Sequence, residues 1–263
     1  ILRQIIQDTH PDACLHLGGI AFVPMGWSDP EKVFSVNLLG TIHLLEAFRA
    51  LSPATRVLVV SSAELYGKTM SEQLLQEDVE AHPDNLYAVS KLSADLMSRL
   101  YFRRYGMPVM TARPINHIGP GQSAQFVCTA FAIQVAEIAL KKRGPFMKVG
   151  NLESRRDFLD VRDVARAYRL LLEQGQPGEA YNIASGKTLP VRMVLDYLCQ
   201  AAQIKPHLVI DPHLFRPTDS HPILDTSKIK HDTGWQPEIF LPLSIRDIFN
   251  HVMNLISQKE NHP

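Results

Sequence analysis

Tyr87 and Lys91 stand four residues apart in Tyr87-Ala88-Val89-Ser90-Lys91, a spacing that places both on one face of a helix. A phenol that titrates near ~10 is a poor base at neutral pH. A neighbouring ammonium favours the phenolate and lowers that value. Such a pair can give or take a proton at a carbonyl or alcohol oxygen. The pentapeptide alone also fits an exposed ion-and-phenol pair on a solvated helix face. What favours chemistry is Ser62, upstream of it and just after the apolar run Arg56-Val57-Leu58-Val59-Val60. In an open α/β sheet, ligands sit beyond the carboxyl ends of the strands, and Ser62 has that place.

The elements that must hold these groups follow from the apolar pattern. Ile1 to Gln7 reads as the end of an amphipathic helix, broken at Pro11-Asp12. Ala13-Cys14-Leu15-His16-Leu17 reads as a buried strand running into Gly18-Gly19. Asp29-Pro30-Glu31 starts a helix that continues through Val33, Val36, Leu39, Leu44, Leu45 and Phe48. The run 56–60 is the next strand, 86–105 a long helix, and 108–114 a third strand. Strands that are apolar throughout, alternating with helices, predict a parallel sheet covered on both faces. Further on, helices are expected over 126–142, 164–174, 191–202 and 242–256, and strands over 147–150, 156–161 and 180–183. Prolines 206, 212, 217 and 222 make 206–222 mostly loop. Trp27 and Trp235 are expected to be packing residues.

Composition narrows the function classes. The chain has 263 residues, with 27 Lys+Arg balancing 27 Asp+Glu. A neutral chain is no candidate for nucleic acid, which calls for a basic excess. No apolar run approaches the roughly 20 residues of a membrane span. Cys14, Cys128 and Cys199 lie far apart, with neither metal nor disulfide spacing, so a reducing cytoplasm is expected. His16 and His117 have no partners at ligand spacing, and no metal is expected. His16 reads as a strand residue with a satisfied imidazole.

Five segments, in order, resemble the extended short-chain dehydrogenases/reductases that act on nucleotide sugars: His16-Leu17-Gly18-Gly19, Asn37-Leu38-Leu39-Gly40-Thr41, Ser61-Ser62-Ala63-Glu64-Leu65-Tyr66-Gly67, Tyr87-Ala88-Val89-Ser90-Lys91 and Arg113-Pro114-Ile115-Asn116-His117. The stretches 116–122, 149–152, 156–161 and 233–238 are similar to its GDP-mannose branch, with reductases of GDP-4-keto-6-deoxy-mannose nearer than GDP-mannose 4,6-dehydratases.

The resemblance implies a Rossmann-type doubly wound parallel sheet with a smaller mixed α/β substrate region. Residues 1–120, with part of 157–185, would form the NADP-binding domain, and 121–263 mainly the nucleotide-sugar domain. Tyr87 would be the proton donor or acceptor. Lys91 would lower its pKa and bond the nicotinamide ribose, and Ser62 would orient the substrate oxygen. Gly18, Gly19, Ser61, Pro114, Ile115 and His117, with Tyr87 and Lys91, would line the cofactor, NADP rather than NAD. At Gly18 and Gly19 the alternative is a turn that needs unusual backbone angles. Asn116, Val127, Asn151, Arg156 and Arg216 would face the GDP-sugar. Both arginines suit its diphosphate because a planar guanidinium pairs phosphate oxygens bidentately. The helices 30–50 and 86–105 would pair a homodimer or homotetramer.

Glu64 stands where the dehydratases carry an acid/base carboxylate, so loss of water from GDP-mannose stays open beside reduction of a C4 ketone. Ala21, where dehydratases often carry Ser, leans the other way. A third reading is a non-catalytic sugar-nucleotide-binding or subunit-interaction protein. It draws on an absence: no Gly-x-x-Gly-x-x-Gly occurs, although a dinucleotide site calls for one after its first strand. The first helix leads instead into what resembles the family's fourth strand. The first βαβ unit, at least ~30 residues, is therefore expected to be absent from this sequence. A chain that starts at Ile1 is then expected to bind NADP(H) poorly.

Overall fold

The structure is a computed structural model that describes residues 1–68, 74–214 and 222–261. In chain order its elements are α1 (Leu2–Thr9), β1 (Ala13–His16), α2 (Met25–Ser28), α3 (Pro30–Phe34), a π-helical segment (Ser35–Leu39), α4 (Gly40–Leu51), β2 (Arg56–Val60) and a 3₁₀ turn (Ala63–Tyr66). They continue with β3 (Leu74–Leu75), α5 (Leu86–Tyr105), β4 (Val109–Pro114), β5 (His117–Ile118), α6 (Val127–Ala139), β6 (Phe146–Val149), β7 (Arg155–Arg156) and β8 (Leu159–Asp160). The last are α7 (Val161–Gln174), β9 (Ala180–Ile183), β10 (Leu189–Pro190), α8 (Val191–Ala202), β11 (His207–Ile210), β12 (Ile223–Leu224), α9 (Ser227–Thr233) and α10 (Leu241–Asn261). The chain divides into two compact units, each built from three stretches of sequence.

The first unit comprises Ile1–Ile115, Val164–Gly186 and Pro222–Gln236. Its centre is a parallel sheet of order β1-β2-β4-β9, the parallel α/β sheet expected from the strand pattern. The strands are short and rich in Val, Ile and Leu, which fit a surface packed on both sides. All six residues of β4 and all four of β9 are buried. One face packs Leu45, Phe48, Val57, Val59, Tyr101 and Val109 into a shared cluster. Arg56 reaches past its strand end and donates to the carbonyls of Leu172 and Gly175, at 2.5 Å each. It thereby satisfies carbonyls that the C-terminus of α7 leaves unpaired.

The ends of α5 are chemically explicit. The Asn85 side chain accepts from the Ala88 amide at 2.8 Å, as an N-cap does. Gly106 closes the helix with φ 68°, in the left-handed region. The helix expected from Pro30 to Phe48 is one continuous rod in the pattern but three pieces in fact. Its middle, Ser35–Leu39, is wound as a π-helix, and that wider turn carries Asn37.

The second unit comprises Asn116–Asp163, Lys187–His221 and Pro237–Pro263. Its core lies among α6, α8 and α10, with Phe131, Val135, Val194, Leu198, Ile245 and Ile248 buried together. Around it run two-stranded sheets β10-β7, β11-β6 and β5-β8. β11 corrects the expectation of loop across 206–222: His207–Ile210 pairs in parallel with β6. Pro206 and Pro212 bracket the strand instead of interrupting it, so every ladder amide is kept. The strand expected at 156–161 divides into β7 and β8. Trp235 is fully buried, as expected, but Trp27 is 66% exposed and is not a packing residue.

Candidate functional site

β1, β2 and β4 all end on one side of the first unit's sheet, because parallel strands point their carboxyl ends the same way. Gly18-Gly19 follows β1, Ser61-Ser62 follows β2, and Pro114-Ile115 ends β4. The start of α5 brings Tyr87 and Lys91 to the same place. The Ser62 hydroxyl acts on the Tyr87 phenol, favouring its ionised form, and Ser62 Oγ accepts from the Glu64 amide at 3.2 Å, capping the 3₁₀ turn. Lys91 Nζ donates to the Val60 carbonyl at 2.7 Å. Ser61 Oγ donates to the Lys91 carbonyl at 3.2 Å, which fastens strand end to helix.

Electrostatics here departs from the simple pair. Tyr87 is buried, and burial pushes its phenol up to about 12, against the Ser62 hydroxyl and aided by the Glu64 charge. Burial also brings Lys91 down to about 8. The spacing predicts a phenol lowered by Lys91. Instead the ammonium is engaged by the Val60 carbonyl, and desolvation governs both groups. Tyr87 thus stays protonated, which suits a group that gives a proton.

Gly19 shows why a glycine stands at the end of β1. Its φ lies outside the left-handed region, so strain is not the reason. A Cβ there would lie 3.1 Å from Lys91 Nζ and 3.2 Å from Asn37 Oδ1. Bare backbone here leaves Lys91 Nζ and Asn37 Oδ1 their places at the strand end, and glycines, a serine and a lysine gathered at the carboxyl ends of parallel strands fit a dinucleotide cofactor. Gly26 acts similarly: a Cβ would lie 3.0 Å from the Tyr87 amide nitrogen, so α2 can pass close to the start of α5.

Asn37 is a site residue that sequence reasoning quoted in a motif without giving it a role. It is 1% exposed. Its Oδ1 accepts from the Ile20 amide at 2.7 Å, and its Nδ2 donates to the Ile20 carbonyl at 3.2 Å and to Ser90 Oγ at 2.9 Å. It therefore ties the loop after Gly19 to the helix between Tyr87 and Lys91. The available signal was a polar residue on the apolar face of an expected helix. His16 Nε2 meets Thr41 Oγ1 at 3.1 Å, the satisfied strand imidazole expected.

The remaining candidates belong to the second unit. Asn116 accepts through its carbonyl from the Leu159 amide at 3.0 Å, and the His117 carbonyl accepts from Gln122 Nε2 at 2.9 Å. Val127 opens α6. Asn151 Oδ1 accepts from the Glu153 amide at 3.0 Å, and Arg156 lies on β7. Arg216 lies outside the described residues. Among the described residues no three His, Cys, Asp or Glu side chains are grouped to hold a metal, and no helix is long and apolar enough to cross a membrane.

The family model described as GDP-mannose 4,6 dehydratase matches residues 1–248. The chain is 38% identical over 242 residues to GDP-6-deoxy-D-mannose reductase of Pseudomonas aeruginosa, covering 91% of this chain and 80% of that one. It is 30% identical to GDP-mannose 4,6-dehydratase of Yersinia enterocolitica, covering 90% and 72%. The solved structure of RMD from Pseudomonas aeruginosa complexed with NADPH superposes with a TM-score of 0.90 at 35% identity, covering 96% of this chain and 86% of that chain.

Proposed function

The chain belongs to the GDP-mannose 4,6 dehydratase family, and from that premise we propose that it is an NADPH-dependent reductase of the C4 ketone of GDP-4-keto-6-deoxy-mannose, yielding a GDP-6-deoxyhexose. The observation that carries this reading is the buried, protonated Tyr87 grouped with Ser62 and Lys91 at the strand ends, in a chain more similar to a reductase than to the dehydratase compared with it.

NADPH supplies, when bound, a hydride for the C4 carbonyl carbon. Gly18, Gly19, Ser61, Pro114, Ile115 and His117, with Lys91, would hold it. The carbonyl oxygen takes its proton from Tyr87, whose phenol is intact at neutral pH and is more acidic than the alcohol that forms at C4. Ser62 orients that oxygen and favours the phenolate left after the proton has gone. Lys91 places positive charge beside the reacting pair. Asn116, Val127, Asn151, Arg156 and Arg216 would take the GDP-sugar, with the two arginines on its diphosphate.

Glu64 supports a second reading. Its carboxylate acts on Tyr87 and could remove the C5 proton in a 4,6-dehydratase. Two incubations decide between them. Net loss of NADPH with the 4-keto sugar means reductase; keto-sugar formed from GDP-mannose without net loss of cofactor means dehydratase. Turnover of neither overturns both.

A homodimer or homotetramer through the helical stretches 30–50 and 86–105 is supported by the exposed Val36 and Leu39 of the π-helical segment and Leu96 and Leu100 of α5, and light scattering tests it. A cytoplasmic location fits Cys14, Cys128 and Cys199, which are all free.

A further inference from the structure

Behind the strand ends lies a buried polar network that the mechanism above does not use. Arg113, on β4 one residue before Pro114, is 3% exposed. Its fork is bidentate to Asp95: Nε donates to Oδ2 at 2.9 Å and Nη2 to Oδ1 at 3.0 Å. Its third nitrogen, Nη1, donates to the Tyr66 hydroxyl at 2.8 Å and to the Glu77 carbonyl at 2.8 Å. The Tyr66 hydroxyl in turn donates to Asn182 Oδ1 on β9 at 2.7 Å.

The elements joined in this way are the ones that carry the chemistry. Asp95 is on α5, one helical turn beyond Lys91 and two beyond Tyr87. Tyr66 ends the 3₁₀ turn that Ser62 caps and that includes Glu64. Arg113 itself precedes Pro114-Ile115. Three flat donors fixed in one plane set the mutual angle of a helix, a turn and a strand, which apolar packing fixes less sharply. A buried ion pair has to offset its desolvation, and apolar replacements are often as stable, so stability alone is a weak reason to keep one here.

We infer that Arg113 and Tyr66 are positioning residues for proton transfer, holding the Ser62 turn in register with Tyr87. The inference rests on the reading of Tyr87 as proton donor. Tyr66→Phe is the informative variant: it keeps the ring and the Arg113–Asp95 pair and removes only the hydroxyl that links turn to strand. Tyr101→Phe is the control. It removes a hydroxyl from the same helix, α5, bonded at 2.8 Å to Glu46, away from the strand ends.

The expected result for Tyr66→Phe is a fall in kcat of about tenfold to a hundredfold, with KM for the sugar nucleotide within about twofold of wild type. Tyr101→Phe should leave kcat unchanged. A folded Tyr66→Phe protein with wild-type kcat overturns the inference, and so does an equal loss in both variants. Should Tyr66→Phe fail to fold, Arg113→Lys, which keeps the charge beside Asp95 and loses the reach to Tyr66, is judged by the same criteria. Should wild type turn over neither sugar, the proposed function fails on its own. Titration of the Tyr87 ring by NMR then decides the positioning: a changed titration in Tyr66→Phe supports it, and an unchanged one overturns it.

Discussion

Burial holds the Tyr87 proton in place, and this makes the residue scale the right one for asking which direction of chemistry the site favours. A phenol pushed up to about 12 keeps its proton at neutral pH: it is a weaker acid than a free phenol, but it is in the form that can give a proton to a more basic oxygen. Replacing Tyr87 by Phe removes the proton and little else. Turnover should fall by about 10²- to 10⁴-fold, the usual worth of a positioned acid, while GDP-sugar affinity measured by calorimetry stays near wild type; unchanged turnover would rule the role out. Lys91 makes a separate prediction. In the folded chain burial holds it at about 8, against 10.5 for a solvated lysine. Between those values the unfolded chain binds the extra proton, so stability rises with pH across that window. Tyr87 acts in the opposite sense only above about 10, where unfolded phenols ionise first. Thermal melts from pH 8 to pH 10 should therefore show wild type gaining on Lys91→Met by on the order of 1–3 kcal/mol; parallel curves would refute it. The pair was legible in the sequence because its spacing is local, and Ser62 because it follows the apolar run 56–60. The Val60 carbonyl that engages the ammonium was not, since it depends on how β2 seats against α5.

The π-helical segment shows what periodicity misses at the scale of an element. An apolar pattern over Val33, Val36, Leu39 and Leu44 reads as one helix, because a single wider turn shifts the phase by less than a residue-type pattern can register. Yet that turn aims Asn37 inward, where it bridges the Ile20 backbone and Ser90. Such turns recur at functional sites, and here one holds the loop after Gly19 against α5. Asn37→Ala should leave the Ile20 amide and carbonyl short of a partner inside the fold, while the Ser90 hydroxyl keeps the Tyr87 carbonyl. The expected loss is about 1–3 kcal/mol, read from urea melts at unchanged slope. A loss below about 0.5 kcal/mol, within the range of ordinary surface changes, would mean that the loop satisfies itself in another way.

At the scale of the whole molecule, the parallel sheet was legible because β2 is apolar on both faces and β1 and β4 carry short apolar runs between helices, whereas β11 was hidden by its bracketing prolines and its exposed side chains. What no local pattern could disclose is which distant stretch completes the sheet. β4 pairs along Thr111 to Pro114 with β9, at Ala180 to Ile183, and both strands are buried throughout. Residues 1–120 taken alone would present that edge unpaired. They would also lack Asn182 for the Tyr66 hydroxyl and the α7 carbonyls for Arg56. Each buried group left unpaired costs roughly 1–3 kcal/mol, so a few of them match the 5–15 kcal/mol that typically holds a domain together. A fragment of residues 1–120 should therefore give a poorly dispersed amide NMR spectrum, and adding residues 157–263 as a second chain should restore dispersion to the β4 amides. A well-dispersed spectrum from the fragment alone would mean that β1, β2 and β4 with their helices suffice, and that β9 merely covers an edge already stable without it.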